Sequence, residues 1–164
     1  MTATPLTHRL WLADEAATTA FGARLAAAFG PAPTGVVTLS GGLGAGKTHL
    51  VRAWLRALGV RGAVRSPTYT LVEPYEIGPA RVFHLDLYRL QSPQEWDGLG
   101  LDDHPPTRHL WLIEWPCRGE GFVPPARLQI GLENEGGGRR VQLVWASPAD
   151  PAAQIISEDL KNIR

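Results

Sequence analysis

Three neighbouring features of this sequence predict an α/β fold. Gly41-Gly42-Leu43-Gly44-Ala45-Gly46-Lys47-Thr48 spells G-x-x-x-x-G-K-T, a glycine-rich turn with a terminal Lys-Thr pair. Val36-Val37-Thr38-Leu39, just before it, is a short apolar, β-branched run of the kind that forms a buried strand. From His49 to Leu58, apolar residues recur at Leu50, Val51, Trp54, Leu55 and Leu58, a helical period. A strand, a glycine turn and a helix N-terminus together aim several backbone N–H groups and a helix dipole at one anion. The expected architecture is therefore a P-loop NTPase-like three-layer sandwich, with a mixed central sheet that includes β-hairpins.

Taken in order, the first predicted element is a helix from Asp14 to Phe29, with Asp14 as N-cap and Ala17, Phe21, Leu25 and Ala28 on one face. Gly30-Pro31-Ala32-Pro33 stops it. The strand, the loop and the loop helix follow and end at Gly59. Ser66-Pro67-Thr68-Tyr69-Thr70-Leu71-Val72 reads as a loop entering a strand, Glu76-Ile77-Gly78-Pro79 as a turn, and Arg81 to Asp86 as the returning strand of a hairpin. Ser92-Pro93-Gln94-Glu95 resembles a helix start with Pro at the first helical position, and Pro105-Pro106 closes that stretch. His109 to Trp115 is a strongly apolar strand. Arg127 to Glu133 and Arg139 to Trp145 form a second hairpin around Gly136-Gly137-Gly138. Residues 1–146 read as a single P-loop NTPase-like domain, and 147–164 as an Ala/Pro-rich tail that turns weakly helical.

Composition narrows the function classes. The 164 residues suit one domain with a substantial core. Basic and acidic side chains number 16 each, so global charge supports neither a nucleic-acid binder nor an anionic membrane surface. A single Cys117 excludes an intramolecular disulfide and any multi-cysteine zinc site, and fits a reducing compartment. Met1 to Arg9 lacks the apolar core of a signal sequence, and no apolar run approaches a bilayer span. A cytoplasmic protein is expected. Of the 16 basic residues only two are Lys, Lys47 and Lys161. A chain that otherwise uses Arg keeps Lys47 where a flexible point charge must reach β/γ-phosphate oxygens.

A phosphate loop alone binds nucleotide; hydrolysis or transfer also needs Mg²⁺, held by the loop Thr and a strand-end carboxylate. Asp86 ends Val82-Phe83-His84-Leu85, and Glu114 follows Leu110-Trp111-Leu112-Ile113. A carboxylate after four apolar strand residues points at the crevice where ligands bind in α/β sheets. The structural alternative is a strand-end acid pairing with Arg89 or Arg118. A lone His alternating on a strand, His84, reads as packed or hydrogen-bonded rather than catalytic. Trp115, directly after Glu114, is the Trp best placed to line the nucleotide or a partner, and Cys117 reads as inert.

Gly-x-Leu-Gly-Ala-Gly-Lys-Thr, Ser66 to Val72, His84-Leu85-Asp86-Leu87-Tyr88-Arg89-Leu90 and Leu112-Ile113-Glu114-Trp115, in this order, closely resemble the bacterial TsaE (YjeE) family. These are small P-loop ATPases required for threonylcarbamoyl modification of adenosine in tRNAs that read ANN codons. The resemblance implies ATP as ligand and Mg²⁺ held by Thr48 and Glu114, with Asp86 in a Walker B-like role. It implies phosphate contacts from Gly41, Gly44, Ala45, Gly46, Lys47, Thr48 and His49, and catalytic roles for Lys47, Asp86 and Glu114. Ser66 and Thr68 would lie in a switch-type segment, and Thr18 near the base. It also implies a cytoplasmic complex with the TsaB and TsaD proteins, which this chain resets or activates by hydrolysing ATP. Two positions depart from the family pattern: Gly42 replaces the usual Asp, and His49 a frequent second Thr.

Two other functions fit a phosphate loop. A small-molecule kinase needs an acceptor pocket and, typically, an Arg-bearing lid, for which no stretch has clear character. A nucleotide-dependent binding module with negligible hydrolysis shares every motif above. A GTPase fits poorly: Asp97-Gly98-Leu99-Gly100 follows no apolar strand, and neither Lys sits in an N-K-x-D context.

Overall fold

The computed structural model describes residues 3–163; Met1 and Thr2, within the segment read as leaderless, and Arg164, at the end of the predicted tail, lie outside them. Among the described residues seven strands and three α-helices follow in this order: β1 (Leu6–Leu12), α1 (Glu15–Phe29), β2 (Gly35–Ser40), α2 (Lys47–Ala57), β3 (Val72–Ile77), β4 (Ala80–Asp86), β5 (Leu110–Glu114), β6 (Leu128–Glu135), β7 (Gly138–Trp145) and α3 (Pro151–Lys161). They form one sheet in the order β1-β7-β6-β2-β5-β4-β3.

The centre of that sheet is parallel and its margins antiparallel. β6, β2, β5 and β4 run together, whereas β3 pairs β4, β7 pairs β6 and β1 pairs β7 in the opposite sense. Chain connectivity explains the β3–β4 and β6–β7 pairs, since parallel neighbours need long crossovers and consecutive antiparallel strands only a hairpin turn; β1 joins β7 from the other end of the chain. At the β6–β7 turn, Gly136 and Gly137 adopt φ of 54° and 91°. Two residues at positive φ are what a type I′ hairpin loop requires. The mixed sheet with two hairpins agrees with the α/β expectation.

Alternation along each strand sorts the core. Val37, Leu39, Leu110, Leu112, Leu128, Ile130, Leu132, Val141, Leu143 and Trp145 meet Phe21, Leu25 and Phe29 of α1, Leu50, Val51, Trp54 and Leu55 of α2, and Ala152, Ala153 and Ile156 of α3. The helical period predicted for α1 and α2 is thus spent on one sheet face. Gly22 lets these two helices touch: a Cβ there would come within 2.6 Å of the Ala53 Cβ. On the opposite face, Val36, Phe83, Leu85, Trp111 and Ile113 pack against Leu87, Leu90 and Leu101. Two 3₁₀ helices, Pro93–Leu99 and Pro116–Gly119, and their loops form that layer. Its cover stops short of β6, β7 and β1. There Arg9, Trp11, Gln129, Gln142 and Val144 floor an open groove of about 1500 Å³, walled by residues between Pro116 and Ala126.

Three elements differ from expectation. β1 is an unpredicted edge strand, because its alternation (Leu6, His8, Leu10, Leu12 inward) is only half-buried and interrupted by polar His8. The helix expected from Ser92 is a 3₁₀ helix that ends at Gly100, in the left-handed region at φ 74°, before Pro105 is reached. α2 begins at Lys47 rather than His49, so the two polar loop residues belong to its first turn.

Candidate nucleotide site

The glycine loop leaves β2 at Ser40 and enters α2 through Gly46, whose φ is 98°. Two of its glycines are required by close approach as well as by backbone angle. A Cβ on Gly41 (φ 153°) would collide with the Leu132 carbonyl of β6, and one on Gly46 with the Arg139 guanidinium of β7. Arg139 Nε donates to the Ala45 carbonyl at 2.9 Å, and Asn134 Nδ2 to that of Gly44 at 3.3 Å. The β6–β7 hairpin therefore braces the loop through its carbonyls. Lys47, Thr48 and His49 supply first-turn amides of α2, which have no intrahelical acceptor and are free to meet an anion.

Lys47 is 5% exposed. Its Nζ donates to the Gly41 and Gly42 carbonyls, both at 2.7 Å, and lies 4.5 Å from the centre of the Trp115 ring. Burial pushes the ammonium pKa down, opposed by the charges of Glu114 and Asp86. Trp115, expected to line the nucleotide or a partner, thus lies against the loop lysine. Trp115 itself holds φ at 56°, in the left-handed region that a bulky side chain seldom occupies.

The two strand-end acids sit side by side. Asp86 and Glu114 are register partners on the parallel β4–β5 pair, and alternation turns both toward the helix face of the sheet. The Thr48 hydroxyl donates into the Glu114 carboxylate, 2.9 and 3.0 Å from its two oxygens. His84 Nε2 is 2.9 Å from Glu114 Oε1 in a fully buried contact. Asp86 Oδ1 accepts the Tyr88 N–H at 3.0 Å. Burial pushes the Asp86 carboxyl pKa up, and the charge of Glu114 adds to this; the Tyr88 N–H, His84 and Lys47 oppose it. Among the described residues neither acid meets an Arg within bonding distance. Arg89 instead stacks over the exposed Tyr69 ring at 4.6 Å, and Arg118 lies over Tyr88 at 5.7 Å.

The other predicted residues divide. His49 Nε2 lies 3.0 Å from the Thr19 hydroxyl, so it ties α2 to α1. Thr18 is fully buried and gives its hydroxyl to the Asp14 carbonyl of its own helix; its neighbour Thr19 makes the contact with α2. Ser66 and Thr68 hydroxyls lie 2.9 Å apart, bonded to each other rather than to the loop or the acids. Sequence reasoning did not find Asn134 or Arg139. Their contacts span 90 and 94 residues, and no local pattern marks them.

The donor set of Thr48, Glu114 and Asp86 is all oxygen, which suits a hard cation. Among the described residues no three His, Cys, Asp or Glu side chains converge into a cage. Mg²⁺ needs none, because it usually keeps several waters and takes one or two carboxylates plus phosphate. The residues fit the metal.

A family model described as "Threonylcarbamoyl adenosine biosynthesis protein TsaE" matches residues 12–141. The chain belongs to the TsaE family. Every site residue described above, from Thr18 to Arg139, falls within the match. A TsaE relative from Haemophilus influenzae, called "tRNA threonylcarbamoyladenosine biosynthesis protein TsaE", is 42% identical over 109 residues, covering 66% of this chain and 69% of the relative. A Bacillus subtilis protein of the same name is 38% identical over 118 residues, or 72% and 73% of the two chains. The crystal structure of Bacillus subtilis YdiB superposes with a TM-score of 0.72 at 28% identity, covering 97% of this chain and 99% of that one. The likeness to YdiB in three dimensions covers nearly the whole chain, beyond the residues 12–141 of the family match.

Proposed function

We propose that this TsaE-family chain binds and hydrolyses Mg–ATP in the biosynthesis of tRNA threonylcarbamoyladenosine. It acts in the cytoplasm on a TsaB–TsaD transferase complex, so that adenosine 37 of ANN-decoding tRNAs becomes modified. The pathway comes from the names its relatives carry; the chemistry rests on one observation, the Thr48 hydroxyl donated into Glu114 beside Asp86.

In this reading the loop amides and the α2 dipole hold the phosphate chain. Lys47 leaves the Gly41 and Gly42 carbonyls to meet β/γ-phosphate oxygens, a trade of neutral acceptors for charged ones. Thr48, Glu114 and Asp86 hold Mg²⁺, which when bound neutralises charge developing on the phosphoryl oxygens. The Ser66–Thr70 segment is the piece that moves toward the γ-phosphate. Arg89 and Arg118 lie over tyrosines, among the described residues no Arg is bonded to the acid pair, and a finger added from outside is worth on the order of 10³–10⁵ in rate. A protein surface is the completing partner, because a formal net charge of +0 gives tRNA phosphates little to hold. The groove of about 1500 Å³ opens on the sheet face turned away from α2, which disfavours its use as a kinase acceptor pocket.

Phosphate release measured for the protein alone, with tRNA, and with TsaB–TsaD tests the reading. Slow release alone, no change with tRNA and stimulation by the protein pair are expected. Full activity in isolation, or stimulation by tRNA without the proteins, defeats it, and a phosphorylated metabolite in place of free phosphate establishes the kinase instead.

A further inference from the structure

We infer that His84 is a positioning residue for the metal-binding end of this site, holding the Glu114 carboxylate toward Thr48. The inference rests on the Mg–ATP reading and deepens it.

His84 occupies what is otherwise a core position. Val82, two residues earlier on the same face of β4, is fully buried among apolar side chains, and so is the imidazole. A leucine at position 84 satisfies packing alone, whereas a buried ring with two polar nitrogens is costly unless it is bonded. Only one nitrogen is: Nε2 lies 2.9 Å from Glu114 Oε1, while Nδ1 is buried without a partner. A carboxylate oxygen accepts, so in this bond Nε2 is the donor to Glu114 and Nδ1 is left without a partner. The bond to Glu114 is therefore what the position provides beyond packing.

Glu114 needs that bond. The residue is 2% exposed, and the terminal torsion of a Glu side chain is soft. Thr48 approaches from α2 and contacts both oxygens, which leaves the carboxylate free to rock about it. His84 approaches from the neighbouring strand, opposite Leu112 and one pleat below the Asp86–Glu114 pair, and fixes Oε1. One strand, β4, thus carries both an acid of the site and, two residues earlier on the same face, the group that aims the other acid.

The 164-residue protein with His84→Gln, His84→Asn or His84→Leu tests this. Gln sets an amide nitrogen where Nε2 stands; Asn sets one nearer Nδ1, out of reach. ADP affinity in chelator, Mn²⁺ uptake by the ADP-loaded protein (loss of the free-ion paramagnetic resonance signal) and thermal melting are read for each. The expected result is unchanged ADP affinity in chelator for all three. Half-saturating Mn²⁺ should rise about tenfold or more for Leu and Asn and return near wild type for Gln, the size usual for groups that orient a metal's ligands. Wild-type Mn²⁺ uptake by the Leu variant overturns the inference; if that variant does not fold, Asn matching Gln overturns it. A wild-type protein that binds ADP but takes up no Mn²⁺ defeats the Mg–ATP reading itself, an outcome visible before any variant is compared.

Discussion

Lys47 and Glu114 show how differently two buried charges in one site can be engaged. Lys47 holds two neutral carbonyls of its own loop and an indole face. Lys47→Ala should leave the melting temperature nearly unchanged and weaken nucleotide binding by about 1.5–3 kcal/mol, the range for charge-assisted hydrogen bonds. Equal affinities by calorimetry would remove the loop from the nucleotide site. Glu114 faces Thr48 and Asp86, the proposed metal end, rather than the glycine-loop carbonyls. Glu114→Ala should therefore depress turnover far more than affinity, since the interaction it lost belongs mainly to the transition state. Steady-state kinetics beside ADP titration separates the two, and normal turnover with partners present would pass the role to Asp86. Both residues were legible in the sequence, one from its motif and one from its place after four apolar residues. His84's bond to Glu114 was not, because the contact crosses 30 residues and exists only through strand register.

At the scale of elements, α3 is tied to the start of β6 by Arg127 and to β1 by Ser157, whose hydroxyl lies 2.9 Å from His8 Nε2. Asp150 caps α3 by accepting the Ala152 N–H. The same carboxylate takes two hydrogen bonds from Arg127, at 2.6 and 2.8 Å, while a third Arg127 nitrogen donates to the Thr34 carbonyl at 2.8 Å. The guanidinium also lies 4.3 Å from the centre of the Phe29 ring. Burial alone would raise the Asp150 pKa; Arg127's hydrogen bond and charge, with the Ala152 and Ala153 amides, more than offset it and hold the carboxyl below its ordinary range. Removing Arg127 leaves a largely buried anion with half its donors, so Arg127→Ala should cost about 3 kcal/mol by denaturant unfolding. The pH signature follows from a depressed folded pKa. The stabilisation is complete above the unfolded value near pH 4 and is lost as pH falls through the lower folded value. Wild type should therefore lose stability to acid faster than Arg127→Ala. Parallel acid limbs would contradict the assignment.

For the whole molecule, the residues read as a tail matter most. Ala152 and Ala153 of α3 and Ile156 beside them are buried in the same core as Leu25, Trp54 and Trp145. Phe29 bridges that core, edge-on to Trp54 at 4.9 Å between centroids and 5.9 Å from Trp145. A chain ending at Ala146 would expose this apolar surface and strand Arg127 without Asp150. We predict that residues 1–146 alone melt well below the full chain or aggregate. A truncated chain with full-length stability would mean that the core closes without α3.

What the sequence by itself determined was local: the strand, turn and helix around Lys47, the two hairpin turns, and the helix faces of α1 and α2. Their signals are spacing and turn chemistry within a dozen residues. The tertiary structure alone decided which distant groups meet. The partnership of His84 with Glu114, the brace of Asn134 and Arg139 behind the glycine loop, the edge strand β1 and the anchoring of α3 all depend on strand order and register. Those are set by long-range pairing and burial of one sheet face, for which a single chain read residue by residue carries no local mark.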